Sequence, residues 1–318
     1  MVGVKRAVSV AKRILRVLLE VEPSGIIRFW LWRRVAIRDS LGSFRIAGSN
    51  GYRSLSLQES FLEGDRRSSK LFILGSGSSV NSLTREQLST MSENVSIGIN
   101  AWAVHPHIPD VYSFETGQDG DGPSDETRFV SSLLQGDRVV DSQPKFLFLR
   151  PTPPATVRNL VQPDKRLSSV RFVHGRANVV TQRLANLEKD LTLIVRFAAK
   201  GRTPSNVLLD NGASVVRLIF LAALQGYTNI VLVGIDLNRE PYFWDAPEFP
   251  GRDTRVFENL MRPRGEPHNS LETLDRPFPV DVFIVALSNV LKREIGVNVS
   301  VASSLSSLSG RLQVHCWE

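Results

Sequence analysis

The sequence predicts an α/β domain built on a parallel sheet covered on both faces. Two observations predict it. Short, nearly continuous apolar runs end in small or polar residues, as strands buried on both faces do. Helix patterns stand between those runs, the alternation that parallel sheets require. Residues 211–245 condense the pattern: an apolar helix, a buried strand, a Gly-Ile-Asp ending and an aromatic cluster.

The body begins at Lys70. Residues 71–74 (Leu-Phe-Ile-Leu) form a strand that ends in a tight turn, Gly75-Ser76-Gly77-Ser78-Ser79. A helix over residues 84–91 follows, then strands over 95–100, 110–115 and 145–149, the last closed by Pro151, Pro153 and Pro154. A helix opens at Gly212-Ala213-Ser214 and stops at Gly226, because glycine takes the left-handed conformation that a helix end needs. Residues 229–236 read as a buried strand with Asp236 at its carboxyl end, the end at which open α/β sheets bind ligands. A helix over 279–294 and a strand over 297–302 complete the series, without internal repeats. Residues 238–278 are rich in Pro, Arg, Glu and aromatics with little periodicity, the mark of a lid or binding loop.

The chain has 318 residues, enough for one large α/β domain with a small companion. Hydrophobic content of 42% and aromatic content of 8% suit a soluble globular class. The single Cys316 excludes an intramolecular disulfide and a cysteine-rich metal site, and is compatible with a reducing cytoplasm.

Net charge is +7, and it sits at one end. Residues 1–45 carry ten Lys/Arg against three acids, leaving 29 basic and 29 acidic residues in the other 273. This basic arm interleaves its charges with apolar residues and includes Trp30 and Trp32. No apolar run in it approaches the roughly 18–20 residues of a spanning helix, nor does it resemble a secretory signal. Two readings fit: a segment lying on an anionic membrane surface, or a helix pair docked on the body with its charges in water. No stripe of Lys/Arg interleaved with stacking aromatics appears elsewhere, which disfavours nucleic acid. Residues 46–69, rich in Ser, Gly and Arg, read as a linker.

The Gly75–Ser79 turn fits either a phosphate-binding loop, where backbone N–H groups meet an anion, or a merely tight turn. It lacks the third glycine of a dinucleotide fingerprint and the Gly-Lys-Ser/Thr of a P-loop. The next strand ends in Asn100, where a nicotinamide-binding domain requires an acid for the ribose, so that reading is disfavoured.

Taken in order, these motifs resemble a family. A strand with Gly75-Ser76-Gly77-Ser78-Ser79, a strand with Asn100, Ala213-Ser214 leading a helix to Gly226-Tyr227, then Gly234-Ile235-Asp236 and Tyr242-Phe243-Trp244-Asp245 follow the sequence of the bacterial lipooligosaccharide sialyltransferases, glycosyltransferase family 42. The resemblance spans roughly residues 70–310, is strongest over 213–245, is thin over 116–205, and does not reach the arm.

The resemblance implies a Rossmann-like glycosyltransferase domain (a variant of the A type) over 70–318, with a lid at about 238–278. It implies an inverting transfer from a CMP-activated acidic sugar to a saccharide acceptor, free or lipid-linked, with no metal and no cofactor. Gly75, Ser76, Gly77 and Ser79 would cradle the nucleotide, although the family usually has Asn at the position of Ser76 and Pro at that of Ser78. Asn100 would contact the donor, and Ala213 and Ser214 would hold the sugar carboxylate at a helix N-terminus, a place suited to an anion. Asp236 matches the strand-end aspartate, and Tyr242 a lid tyrosine that bonds the leaving phosphate. The family's other lid tyrosine is Asn238 here, whose amide still donates to phosphate. Trp244 either closes the pocket or belongs to the core. Glu115, at a strand end, either binds sugar hydroxyls or caps the next turn.

Inverting transfer needs a base for the acceptor hydroxyl, and histidine suits neutral pH. His268, in a polar stretch before the helix opening at Pro279, is the candidate; the family's base lies closer to the corresponding helix. His105 and His107, flanking Pro106, look structural. Arg262 and Arg264 suit a phosphate or carboxylate.

Three alternatives remain at this level. Asp119 and Asp121 suit a metal-dependent transferase of nucleotide-diphosphosugars. The Gly-Ser turn also suits a pterin diphosphokinase-like enzyme, and a non-catalytic glycan-binding protein would need none of this chemistry. The expected setting is cytoplasmic, peripheral at the inner face of the membrane, and a homo-oligomer is compatible with the chain.

Overall fold

A computed structural model describes residues 24–50, 53–57, 69–114, 118–119, 122–123, 144–149, 171–238, 240–246, 249 and 277–317. Its centre is a sheet of ten strands in which all the pairings are parallel. In chain order the strands are β1 (Arg53–Ser54), β2 (Lys70–Leu74), β3 (Val95–Ile99), β4 (Val111–Phe114), β7 (Lys145–Leu149), β8 (Arg171–Asn178), β9 (Val207–Asp210), β10 (Asn229–Val233), β11 (Asn298–Val301) and β12 (Gln313–Val314). The short strands β5 (Gln118–Asp119) and β6 (Gly122–Pro123) pair with each other in an antiparallel ribbon. Across the sheet the order is β1-β8-β7-β4-β3-β2-β10-β11-β12, with β9 pairing to β8.

The predicted α/β class follows from how the strands are buried. In β2, Leu71 and Ile73 join one hydrophobic cluster while Phe72 and Leu74 join the other. In β10, Ile230 and Leu232 divide from Val231 and Val233 in the same way. Because successive side chains point to opposite faces, apolar layers on both sides require an unbroken apolar run.

Five α-helices are described: α1 (Ile26–Asn50), α2 (Arg85–Ser92), α3 (Leu184–Ala199), α4 (Ser214–Leu224) and α5 (Val280–Ile295). Thr84 caps α2 through a capping box with Gln87. Helix α4 is buried from Ser214 to Ala223, packed against β9, β2 and α5, which explains why its sequence is apolar on most sides. It ends two residues before Gly226, whose φ is +90°.

The arm departs from the boundaries the sequence suggested. Helix α1 continues past Arg45 to Asn50, and it packs on β8 and α3. Its Arg28 guanidinium is buried against Asp190 of α3, with Nε 2.8 Å from Oδ1. Trp32 donates to the Ala177 carbonyl at 3.1 Å, and Asp39 accepts from the Arg176 backbone N–H at 2.7 Å. The inner face of residues 26–47 therefore belongs to the body, and β1, within the expected linker, joins the sheet. Residues 1–23 lie outside the described residues.

Candidate active site

From β2 the chain runs to β3 on one side of the sheet, and from β10 it runs to β11 on the other. The carboxyl ends of β2 and β10 therefore flank the point where strand order reverses, the position at which open α/β sheets take ligands. The Gly75–Ser79 turn leaves β2 there, and Gly234-Ile235-Asp236 leaves β10.

The two exits are stitched together. Gly75 N–H donates to the Val233 carbonyl and Gly77 N–H to the Gly234 carbonyl, both at 2.7 Å. Asp236 then accepts two hydrogen bonds from Ser79, from its backbone N–H at 2.8 Å and its hydroxyl at 2.6 Å. Such close approach dictates glycine. A Cβ on Gly77 would stand 2.8 Å from the Asp236 Cβ and overlap its carboxyl group. Gly234 has φ +63°, and a Cβ there would lie 2.6 Å from Val80 Cγ2 and 2.7 Å from the Gly75 carbonyl oxygen.

Asp236 is buried, and desolvation pushes its carboxyl pKa above the ordinary value. The two Ser79 hydrogen bonds act in the opposite direction by favouring the carboxylate. The next residue, Leu237, has φ +49°, a left-handed conformation that a bulky side chain rarely takes. Neighbouring bonds hold it: Ser306 Oγ donates to the Ile235 carbonyl at 2.8 Å, and Ser307 N–H to the Asp236 carbonyl at 2.9 Å.

Tyr242 reaches the same place from the segment after β10. It forms a β-bridge with Gly77, and Phe243 N–H donates to the Ser76 carbonyl at 3.0 Å. Phe243 is buried against Trp102 and His105, which anchors the segment, while Tyr242 remains half-buried. Its ring stacks on Trp244, with centroids 4.6 Å apart. Trp244 is itself buried and joins the core, so it fixes the ring of Tyr242 from beneath. Asn238 donates to the Leu305 carbonyl at 3.3 Å and accepts from Glu240 N–H at 3.1 Å. Its amide is thus tied to the neighbouring loop.

Asn100 begins a short 3-10 helix directly after β3, whose Gly98 pairs with Leu74 of β2, and this sets its backbone on the same rim. Ser214 opens α4 after β9, with Ala213 as the preceding cap residue. Its hydroxyl accepts from Arg217 Nη2 at 3.0 Å, and Arg217 Nη1 lies 2.7 Å from Asp210 Oδ1. Gly212 N–H also donates to Asp210, at 2.9 Å. Ser214 therefore belongs to a second hydrogen-bonded group, apart from the Ser79–Asp236 pair.

Comparisons with known proteins add the following. No protein-family model matches the sequence, and a search of curated proteins finds no match. Among solved structures, the chain is similar to the monofunctional alpha-2,3-sialyltransferase Cst-I from Campylobacter jejuni, with 13% identity and a TM-score of 0.42, over 81% of this chain and 84% of that one. It is also similar to an alpha-2,3-sialyltransferase from Campylobacter jejuni in apo form, with 14% identity and a TM-score of 0.38, over the same shares of the two chains. Likeness of this degree assigns no chemistry.

The fold thus brings together Gly75, Ser76, Gly77, Ser79, Asp236, Tyr242 and Trp244 from two distant parts of the chain. Glu115, Asp121, Arg262, Arg264 and His268 lie outside the described residues, as does the Asp119 side chain. Among the described residues no three His, Cys, Asp or Glu side chains gather as metal ligands. His105 stacks on Trp102 at 4.3 Å and accepts from His107 N–H at 3.0 Å, the structural part expected of both. Arg217 and Asp210 escaped the sequence reading. The three-residue spacing from Ser214 to Arg217, which puts both on one helix face, was the available signal for the first.

Proposed function

We propose that the protein is an inverting, metal-independent glycosyltransferase that moves sialic acid or a related ulosonic acid from its CMP ester to a cell-surface saccharide. One observation carries the reading: the backbone bridge between Gly77 and Tyr242 lays a tyrosine against a glycine-serine turn at the switch point. A nucleoside monophosphate on that turn has its phosphate beside a neutral hydroxyl donor. The order of motifs from Gly75 to Asp245 supports the donor class, since the resemblance to family 42 rests on that order.

In this reading the acceptor hydroxyl attacks the anomeric carbon from the face opposite the CMP oxygen, which inverts the configuration. The bond from that carbon to the CMP oxygen breaks, and CMP leaves with the electron pair. His268 takes the acceptor's proton. Tyr242 donates to the departing phosphate and Asn238 assists, so that neutral donors meet the charge developing there. Ser214, at the N-terminus of α4, holds the sugar carboxylate, with Ala213 beside it. Asn100 contacts the donor, and Asp236 keeps the Gly75–Ser79 turn in shape. Glu115 is assigned to sugar hydroxyls.

Thermal-shift and hydrolysis measurements against CMP-, UDP-, GDP- and ADP-sugars, each with and without chelator, test the proposal. Stabilisation and hydrolysis confined to the CMP ester and indifferent to chelator are expected. Dependence on a UDP- or GDP-sugar with manganese would favour the metal-dependent alternative. Consumption of ATP with a pterin would favour the diphosphokinase, and no response to any nucleotide would favour a glycan-binding protein.

A further inference from the structure

Helix α1 has two apolar faces, and the described residues of the body cover only one. Phe29, Trp32, Ala36 and Ala47 are buried against β8 and α3. On another side Ile26, Trp30, Ile37, Leu41 and Phe44 are each 40–56% exposed. Their spacings of four, seven, four and three residues place them along a single stripe. Ile27 flanks the stripe and is 52% exposed. Core burial leaves this stripe unexplained.

The charges that α1 itself sets beside it are of one sign. Arg34 and Arg38 are exposed, and Arg33 sets its guanidinium 5.1 Å from the centre of the Trp30 ring. The sole acid of α1, Asp39, is buried and turned to the Arg176 backbone. A tryptophan at the edge of an apolar stripe, with arginines around it and no exposed acid on the helix, has the composition of a helix that lies in a bilayer interface. No described helix is long and apolar enough to cross a membrane.

We propose that the outer face of α1 docks the protein on an anionic lipid surface, with Trp30, Ile37, Leu41 and Phe44 entering the headgroup layer and the arginines meeting lipid phosphates. The helix is not a free tail. The buried Arg28–Asp190 pair and the Trp32–Ala177 bond make it part of the body, so that docking orients the whole domain. Trp32 meets the carboxyl-terminal half of β8, whereas Ser40 bonds Asn206, just before β9 begins. The Trp30 end of the helix therefore points toward the sheet rim that carries the candidate site. Charge complementarity selects lipid over a second copy of this chain, because two such faces would oppose arginine to arginine.

Co-sedimentation of the full chain with vesicles tests this, using phosphatidylcholine alone or mixed with phosphatidylglycerol. Binding is expected only with the anionic vesicles. The R34Q/R38Q variant is expected to bind them about 30-fold more weakly, given roughly fivefold for each surface charge. A W30S/L41S/F44S variant, altered only at exposed positions, is expected to lose binding and keep the wild-type melting temperature. Equal binding to both vesicle types, or undiminished binding by the arginine variant, would overturn the proposal. So would a concentration-dependent dimer without vesicles that the serine variant abolishes, which would identify a second copy as the occupant. Donor hydrolysis in solution is expected to be unchanged in both variants, so lipid docking and the proposed transfer can fail separately.

Discussion

Ser79 and Asp236 are 157 positions apart in the chain, yet the Asp236 carboxylate accepts both the backbone N–H and the hydroxyl of Ser79, at 2.8 and 2.6 Å. The pair clamps the turn after β2 to the strand exit of β10. It makes one rim out of two loops that the sequence presents separately.

The clamp is measurable as a coupling. S79A removes the hydroxyl and leaves the backbone bond, and D236N keeps an acceptor for the N–H while removing the charge. A double-mutant cycle in urea is expected to give a coupling of about 1–3 kcal/mol, the range for a buried hydrogen bond to a charged group. A cycle that closes to zero would show that the two residues act independently.

The same carboxyl has a pH signature. Burial raises its folded pKa above the unfolded value, so the native state holds its proton more tightly. Stability from this group is greatest below the unfolded value of about 4, declines as pH rises through the raised folded value, and is constant above it. The melting temperature of the wild type, taken relative to D236N, is therefore expected to fall across that window. A difference that rises with pH would contradict the assignment.

Gly77→Ala tests the close approach directly. Its methyl would overlap the Asp236 carboxyl group, and relief requires the two loops to part. A loss of about 1–3 kcal/mol is expected, as for overpacking, together with loss of the CMP-dependent thermal shift. An unchanged shift would place the nucleotide elsewhere.

Tyr242→Phe keeps the ring on Trp244 and removes only the hydroxyl. Thermal stability close to wild type is expected, with a fall in kcat of about 10²–10³, the usual effect of deleting one donor to a developing negative charge. A rise in KM at unchanged kcat would move the hydroxyl from the leaving group to ground-state binding.

Arg28→Met tests whether α1 is part of the body. Removing one partner of a buried ion pair costs about 3–5 kcal/mol, and both side chains here are at most 3% exposed. A cooperative loss of that size in the whole unfolding transition is expected. A separate early transition would make the helix an appendage.

What the sequence revealed, and what it hid, follows burial. Strands β2 and β10 were legible because both faces are covered, which leaves a run such as Ile230-Val231-Leu232-Val233 without polar interruption. Strand β8 was not. Its Arg-Phe-Val-His-Gly-Arg-Ala-Asn sequence carries polar residues, and Gly175 lies where α1 approaches so closely that a Cβ would meet Asp39 and Ser43. Helix α3 was overlooked although Leu187, Leu191, Ile194 and Val195 repeat at helical spacing, and all four are buried. The turn after β2 was visible as a motif, but its partner was not. No local signal says that Asp236 faces Ser79 rather than a ligand. Such a pairing is a property of the assembled sheet, not of any window of the chain.

The central claim is that this rim takes a CMP-linked acidic sugar without a cation. Phosphorus NMR of CMP-sialic acid incubated with the protein and excess chelator tests it most directly. Appearance of free CMP, slowed about 10²–10³-fold in Tyr242→Phe and unaffected by added manganese, is the predicted result. An intact donor after prolonged incubation, alongside turnover of a UDP-sugar once manganese is restored, would contradict it.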